Sequence, residues 1–197
     1  MSIDPSFFHL QNITDTCAVW NVLSSQTLYD RAKTAGVRFI CTYFVIYECL
    51  HKPRKRNVVC DEVLRLRLQD AQKNDFKSYP LDITDLQTIE ILENRKRLGK
   101  GELSSIAFAL KTRQAFLTDD QKARNLAKQV LQDKMSQTTP HLVGWLFFHS
   151  HLTDSDKSIV IREHTDMERP LARYFEDMYL EACRCRLMAM QGANKSE

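Results

Sequence analysis

The chain has 197 residues, 43% of them hydrophobic and 27% charged, with a formal net charge of +3. That length suits one α/β domain with a helical extension and a full core; the mild charge excludes a polyelectrolyte and gives no compositional sign of a nucleic-acid partner. No stretch approaches the ~20 apolar residues of a membrane span, and the start lacks a basic region followed by an apolar run, so a cytoplasmic protein without a membrane partner is expected.

In chain order, Phe7–Asp15 reads as a first strand ending in a carboxylate, with a short helix from Thr16. Ser24 and Ser25 offer caps for a helix around Leu28, Tyr29 and Ala32, which Gly36 stops. Val37–Thr42 is β-branched and apolar, a second strand, and Phe44–Leu50 reads as a helix whose one carboxylate is Glu48. A basic, Pro-interrupted loop follows, containing Lys52, Arg54, Lys55 and Arg56. Cys60 to Lys77 looks helical, and Tyr79–Ile83 reads as a short extended piece. Thr84 offers a cap for a helix that buries Leu86, Ile89, Ile91 and Leu92.

The stretch Leu98–Gly99–Lys100–Gly101–Glu102 opens a central helix in which Ile106, Ala109 and Leu110 repeat at helical spacing. Glu102 then projects from the helix's N-terminal rim. Ala115–Leu117 is a strand whose tip carries Thr118, Asp119 and Asp120, and Gln121 to Met135 reads as a further helix. Trp145–Phe148 is an apolar core stretch, and two more helices are expected near 154–164 and 170–190, the second with Pro170 at its first position. Strands alternating with helices predict a three-layer α/β/α sandwich with a mainly parallel sheet plus C-terminal helices. The expected division is a domain over 1–150 and a helical extension over 151–197.

Open parallel sheets gather their sites at the C-terminal edge of the strands. That edge would collect Asp15, Glu48, Glu102 and the Asp119/Asp120 pair. Like charges brought together are costly unless a cation neutralises them. Hard oxygen ligands suit Mg²⁺ or Mn²⁺, and such a site can polarise a phosphate and activate water for in-line phosphodiester hydrolysis. Each acid also has a plainer reading. Asp15 and one of the Asp119/Asp120 pair can cap helices, Glu102 suits the helix dipole, and Glu48 can pair with a local cation. Thr118 can hold a ligand or end its strand, and Arg124 can meet phosphate or pair with a neighbouring acid. The basic loop can steer a polyanion or stay solvated. Ser104 and Ser105 read as helix packing, since no Ser-His-Asp arrangement is legible. His149, His151 and His164 lack ligand spacing and read as structural. The six cysteines show no CxxC spacing and read as reduced thiols.

The chain resembles the PIN-domain nucleases, the fold of VapC-type toxins, over roughly residues 7–150. Thr14–Asp15–Thr16, Tyr47–Glu48–Cys49–Leu50, Gly101–Glu102 and Thr118–Asp119–Asp120 match the family's four acidic positions in order and spacing. Leu98–Gly99–Lys100–Gly101–Glu102 is similar to a subgroup with Leu-Gly-x-Gly-Glu before the central helix. At the fourth position, Thr118-x-Asp120 suits the toxin pattern and the spacing to Arg124 favours Asp119, with a slight preference for Asp119. The resemblance implies a Mg²⁺- or Mn²⁺-dependent endoribonuclease, with RNA as substrate and a toxin–antitoxin role. A small antitoxin and a homodimer are its implied partners. The alternatives are a nuclease of DNA or structured nucleic acid, and a non-catalytic PIN-like binding module.

Overall fold

The structure, a computed structural model, describes residues 4–52, 58–74 and 76–193. Among these residues five strands form one all-parallel sheet in the order β3-β2-β1-β4-β5. The strands are β1 (Gln11–Thr14), β2 (Arg38–Thr42), β3 (Phe76–Tyr79), β4 (Ala115–Leu117) and β5 (Ser136–Gln137). Between and after them run α1 (Thr16–Leu23), α2 (Gln26–Thr34), α3 (Tyr43–Leu50), α4 (Val58–Asn74), α5 (Ile83–Arg95), α6 (Lys100–Thr112), α7 (Gln121–Val130), α8 (Thr139–Phe148), α9 (Asp154–Asp166) and α10 (Ala172–Ala193). The expected α/β/α sandwich is therefore present.

Alternation along the strands sends side chains to two cores. Phe39, Cys41 and Leu117 face one core with Trp20, Leu28, Leu64, Leu146 and Phe175. Ile13 and Phe116 face the other with Ile89, Leu103, Ile106 and Leu126. Burying each such side chain stabilises by about 1.5–3 kcal/mol. The C-terminal helices share the first core, through Leu152, Val160, Phe175 and Ala182.

Local chemistry sets the element boundaries. Ser25 accepts from Leu28 N at 3.0 Å to start α2, and Gly36 takes φ +87° after it, a left-handed turn that glycine favours. The helix expected to reach Lys77 ends at Asn74, because Phe76 joins β3 and stacks on Phe39 of β2 at 5.1 Å. The cap of α5 is Asp82 rather than Thr84; Asp82 and Asp85 form a reciprocal capping box. In α5 only Ile89 and Leu92 of the expected face are buried, while Leu86 and Ile91 are exposed. The helix expected to run to Met135 stops at Val130, since β4 needs an edge partner: Phe116 N donates to Met135 O and Thr118 N to Gln137 O. Pro170 lies ahead of α10, which begins at Ala172, because Leu171 N is drawn to His164 Nε2 at 3.0 Å.

Candidate functional site

The strands β1 and β4 are neighbours in register, Thr14 opposite Leu117, so the residues after them, Asp15 and Thr118, meet at the C-terminal edge. Asp15 is fully buried and caps α1, its Oδ1 accepting from Ala18 N at 2.8 Å. Its Oδ2 accepts from the Thr118 hydroxyl. Burial pushes the Asp15 carboxyl up to about 8 against those two hydrogen bonds, and the charges of Asp119 and Glu102 push the same way. Thr118 is itself buried, and its hydroxyl points at Asp15 rather than at solvent.

Glu102 sits in the first turn of α6, where Gly99 is the N-cap. Its Oε2 is buried and has no hydrogen-bond partner. Burial raises its carboxyl against a hydrogen bond from its own backbone N–H, and the nearby charges of Glu48 and Asp120 add to the rise. The two glycines of the opening motif make room: a Cβ at Gly99 would run into Glu102, and one at Gly101 into Glu48 Oε2. Glu48 faces inward from α3, its side chain 14% exposed, with Oε2 accepting from Thr16 Oγ1 at 2.7 Å. Its Oε1 meets Lys52 Nζ at 3.5 Å, so the local ion pair weighed for Glu48 is present.

The neighbours at the tip of β4 divide their work. Asp119 accepts from Asn21 Nδ2 at 2.7 Å, from Thr139 N at 2.8 Å and from Thr139 Oγ1 at 2.6 Å. Its carboxyl is nonetheless raised, burial being the leading cause. Asp120 caps α7, Oδ1 accepting from Ala123 N at 2.8 Å. Arg124 lies one turn on, bonded to Gln121. Sequence reasoning missed Asn21, Thr16 and Thr139, which hold the acids. Asn21 was the most legible of them, a polar residue inside the apolar run Val19–Trp20–Asn21–Val22. Arg54, Lys55 and Arg56 lie outside the described residues. Ser104 and Ser105 pack α6 onto the sheet, Ser104 Oγ lying 2.6 Å from Thr42 Oγ1 and Ser105 Oγ donating to Thr14 O.

Residues 55–132 match the model of a family described as DUF3368, a PIN domain. That stretch is similar to a PIN domain. This span contains the opening of α6 and the tip of β4, hence Glu102, Asp119 and Asp120, while Asp15 and Glu48 precede it. A PIN domain is a nuclease-type fold. No curated protein matches the chain. No helix among the described residues is long and apolar enough to cross a membrane.

Two observations test the fit of this sheet edge to a divalent cation. The unspent Oε2 of Glu102, in a ring of mutually repelling carboxylates, is an oxygen donor without a partner, and hard cations take oxygen donors. Yet among the described residues no three His, Cys, Asp or Glu side chains are gathered as a metal cage. The donor chemistry fits; the ligands are not drawn together in advance.

Proposed function

We propose that this chain is a metal-dependent endoribonuclease that hydrolyses RNA phosphodiester bonds. The buried, unpartnered Oε2 of Glu102 carries that reading, because an oxygen left without a donor inside a cluster of acids costs stability unless a cation meets it. Asp15, Glu48, Glu102 and one of Asp119 and Asp120 would hold Mg²⁺ or Mn²⁺. The donor count favours Asp120, since Asp119 already accepts from three donors. When bound, the cation supplies Lewis acidity at the phosphate and a lowered pKa for water. Thr118 and the Ala18 N–H hold Asp15 in place at the edge. Thr16 and Lys52 aim Glu48 inward. Asn21 and Thr139 fix Asp119, and Lys52, with its side chain 62% exposed, offers a cation to the phosphate backbone.

RNA as substrate and a toxin role are supported by the order and spacing of the four acidic positions, which resemble those of VapC-type toxins. A small antitoxin covering the edge and a homodimer belong to the same reading. The test is cleavage of single-stranded RNA, with DNA beside it, in Mn²⁺, in Mg²⁺ and in EDTA. Asp15→Asn and Glu102→Gln are run alongside the wild type. Metal-dependent cutting that both variants lose supports the reading. A second reading, a non-catalytic binding module, draws on the lack of a gathered metal cage among the described residues. It predicts no Mn²⁺ binding by calorimetry and no cutting of RNA or DNA by well-folded wild type.

A further inference from the structure

The helix that turns Glu48 inward turns tyrosines outward. Tyr43 and Tyr47 stand one turn apart on α3 and are 55% and 58% exposed. One turn further, the His51 ring lies 5.8 Å from the Tyr47 ring, tilted by 34°. Tyr43 and Tyr47, with Phe44, Leu81 and Leu86, line an open groove of about 420 Å³. Tyr47 directly precedes Glu48, and Lys52, which pairs with Glu48, follows the ridge at the end of the helix.

We propose that this aromatic ridge is a base-stacking subsite for single-stranded RNA, holding nucleobases beside the phosphate presented to the carboxylates. The proposal rests on the nuclease reading for which phosphate is presented. Exposed rings at one-turn spacing offer successive flat faces, and every nucleobase has a π-face to lay on them. The charge at the end of the ridge complements such a strand: Lys52, exposed beyond the last turn of the helix, stands where a backbone phosphate would run. A duplex keeps its bases stacked on one another and has none to give the tyrosines, so the subsite selects single strands.

The test is binding of a short labelled single-stranded RNA in EDTA, where no cutting is needed, read by fluorescence anisotropy. An abasic strand of the same length and charge, and a duplex, are the comparisons. Tyr47→Ala and Tyr43→Ala are expected to weaken single-strand binding roughly tenfold each, the size of one lost base stack. Tyr47→Phe is expected to bind as wild type, and the abasic strand to bind weakly and indifferently to all variants. Both tyrosines are exposed, so these variants keep the fold. Equal binding of abasic and natural strands, or alanine variants that bind like wild type, overturns the proposal. So does a wild type that sediments as a dimer beside a monomeric Tyr47→Ala, which would make the ridge a contact between copies. A wild type that binds RNA through the tyrosines yet never cuts it sinks the nuclease reading and leaves the stacking subsite standing.

Discussion

Around His164 the buried polar atoms are matched, whereas at the sheet edge Glu102 Oε2 has no partner and Asp15 feels two other carboxylates. His164, in the last turn of α9, is wholly buried against Phe175 of α10. Its Nε2 accepts from Leu171 N at 3.0 Å, so Nδ1 carries the proton and donates to Ser24 Oγ at 2.5 Å. Ser24 Oγ in turn donates to Asn21 O at 2.7 Å. That is a closed arrangement, complete without any ligand, and it staples the C-terminal helices to α1. The carboxylate edge is the reverse, with like charges and an idle acceptor. A polar cluster that satisfies itself is structural; one left unsatisfied is a site waiting for something.

The largest effect that sharpens this contrast is at Glu102. Glu102→Gln keeps the shape, removes a charge from the repelling ring, and is expected to lower metal-dependent RNA cutting by about 10²–10³, as loss of one electrostatic contact to the transition state does. Its midpoint in urea is expected to stay at or above that of the wild type. A variant that cuts normally would break the contrast. His164→Ala should do the opposite: it strands the Leu171 N–H and opens a cavity, costing about 2–4 kcal/mol. Urea unfolding measures that loss.

The two clusters also predict opposite pH slopes. Asp15 holds its proton to about pH 8 in the fold but releases it near 3.8 when unfolded. Between those values the native state binds more protons, so this contribution is full below 3.8 and is lost as pH rises through about 8. His164 stays neutral in the fold down to about 3, while its unfolded value is 6.5, burial being the main cause and Arg169 the next. Its contribution is full above 6.5 and is lost as pH falls toward 3. In EDTA, Asp15→Asn, which keeps the α1 cap, is expected to flatten the fall in melting temperature between pH 5 and pH 9 by about 2–4 °C for each kcal/mol recovered. A variant whose curve parallels the wild type would remove Asp15 from the account.

Much of the sheet edge was legible because it depends on local signs. Apolar runs that end in an acid marked the tips of β1 and β4, and the glycine pair before Glu102 marked the start of α6. Those signs are short-range. What failed was set across the fold: Phe76 left its helical period to stack on Phe39, and Ser136 and Gln137 became a strand because β4 needed a partner. The donors around the acids were equally hidden. Asn21 and Thr139 lie 98 and 20 residues from Asp119 along the chain, and no spacing rule joins them. The C-terminal helices offered no motif, and one side chain in the turn between them bonds directly to a residue that holds Asp119.

That side chain is Arg169, in the turn before α10, and it gives the smallest of the expected effects. Its Nε donates to Asn21 Oδ1 at 2.9 Å, which leaves Asn21 Nδ2 turned to Asp119 Oδ2 at 2.7 Å. One donor thus fixes which end of the amide faces the acid, and the self-satisfied cluster and the unsatisfied edge are joined at Asn21. Arg169→Leu removes that donor while Asp119 keeps both bonds from Thr139. The expected loss is therefore partial, about 1 kcal/mol of stability for one hydrogen bond and roughly a tenfold drop or less in metal-dependent cutting. Arg169→Lys, which restores a donor, is expected to recover most of both. If Arg169→Leu lowers stability but leaves cutting and Mn²⁺ affinity untouched, Arg169 belongs wholly to the closed cluster around His164, and Asn21 holds Asp119 without its help.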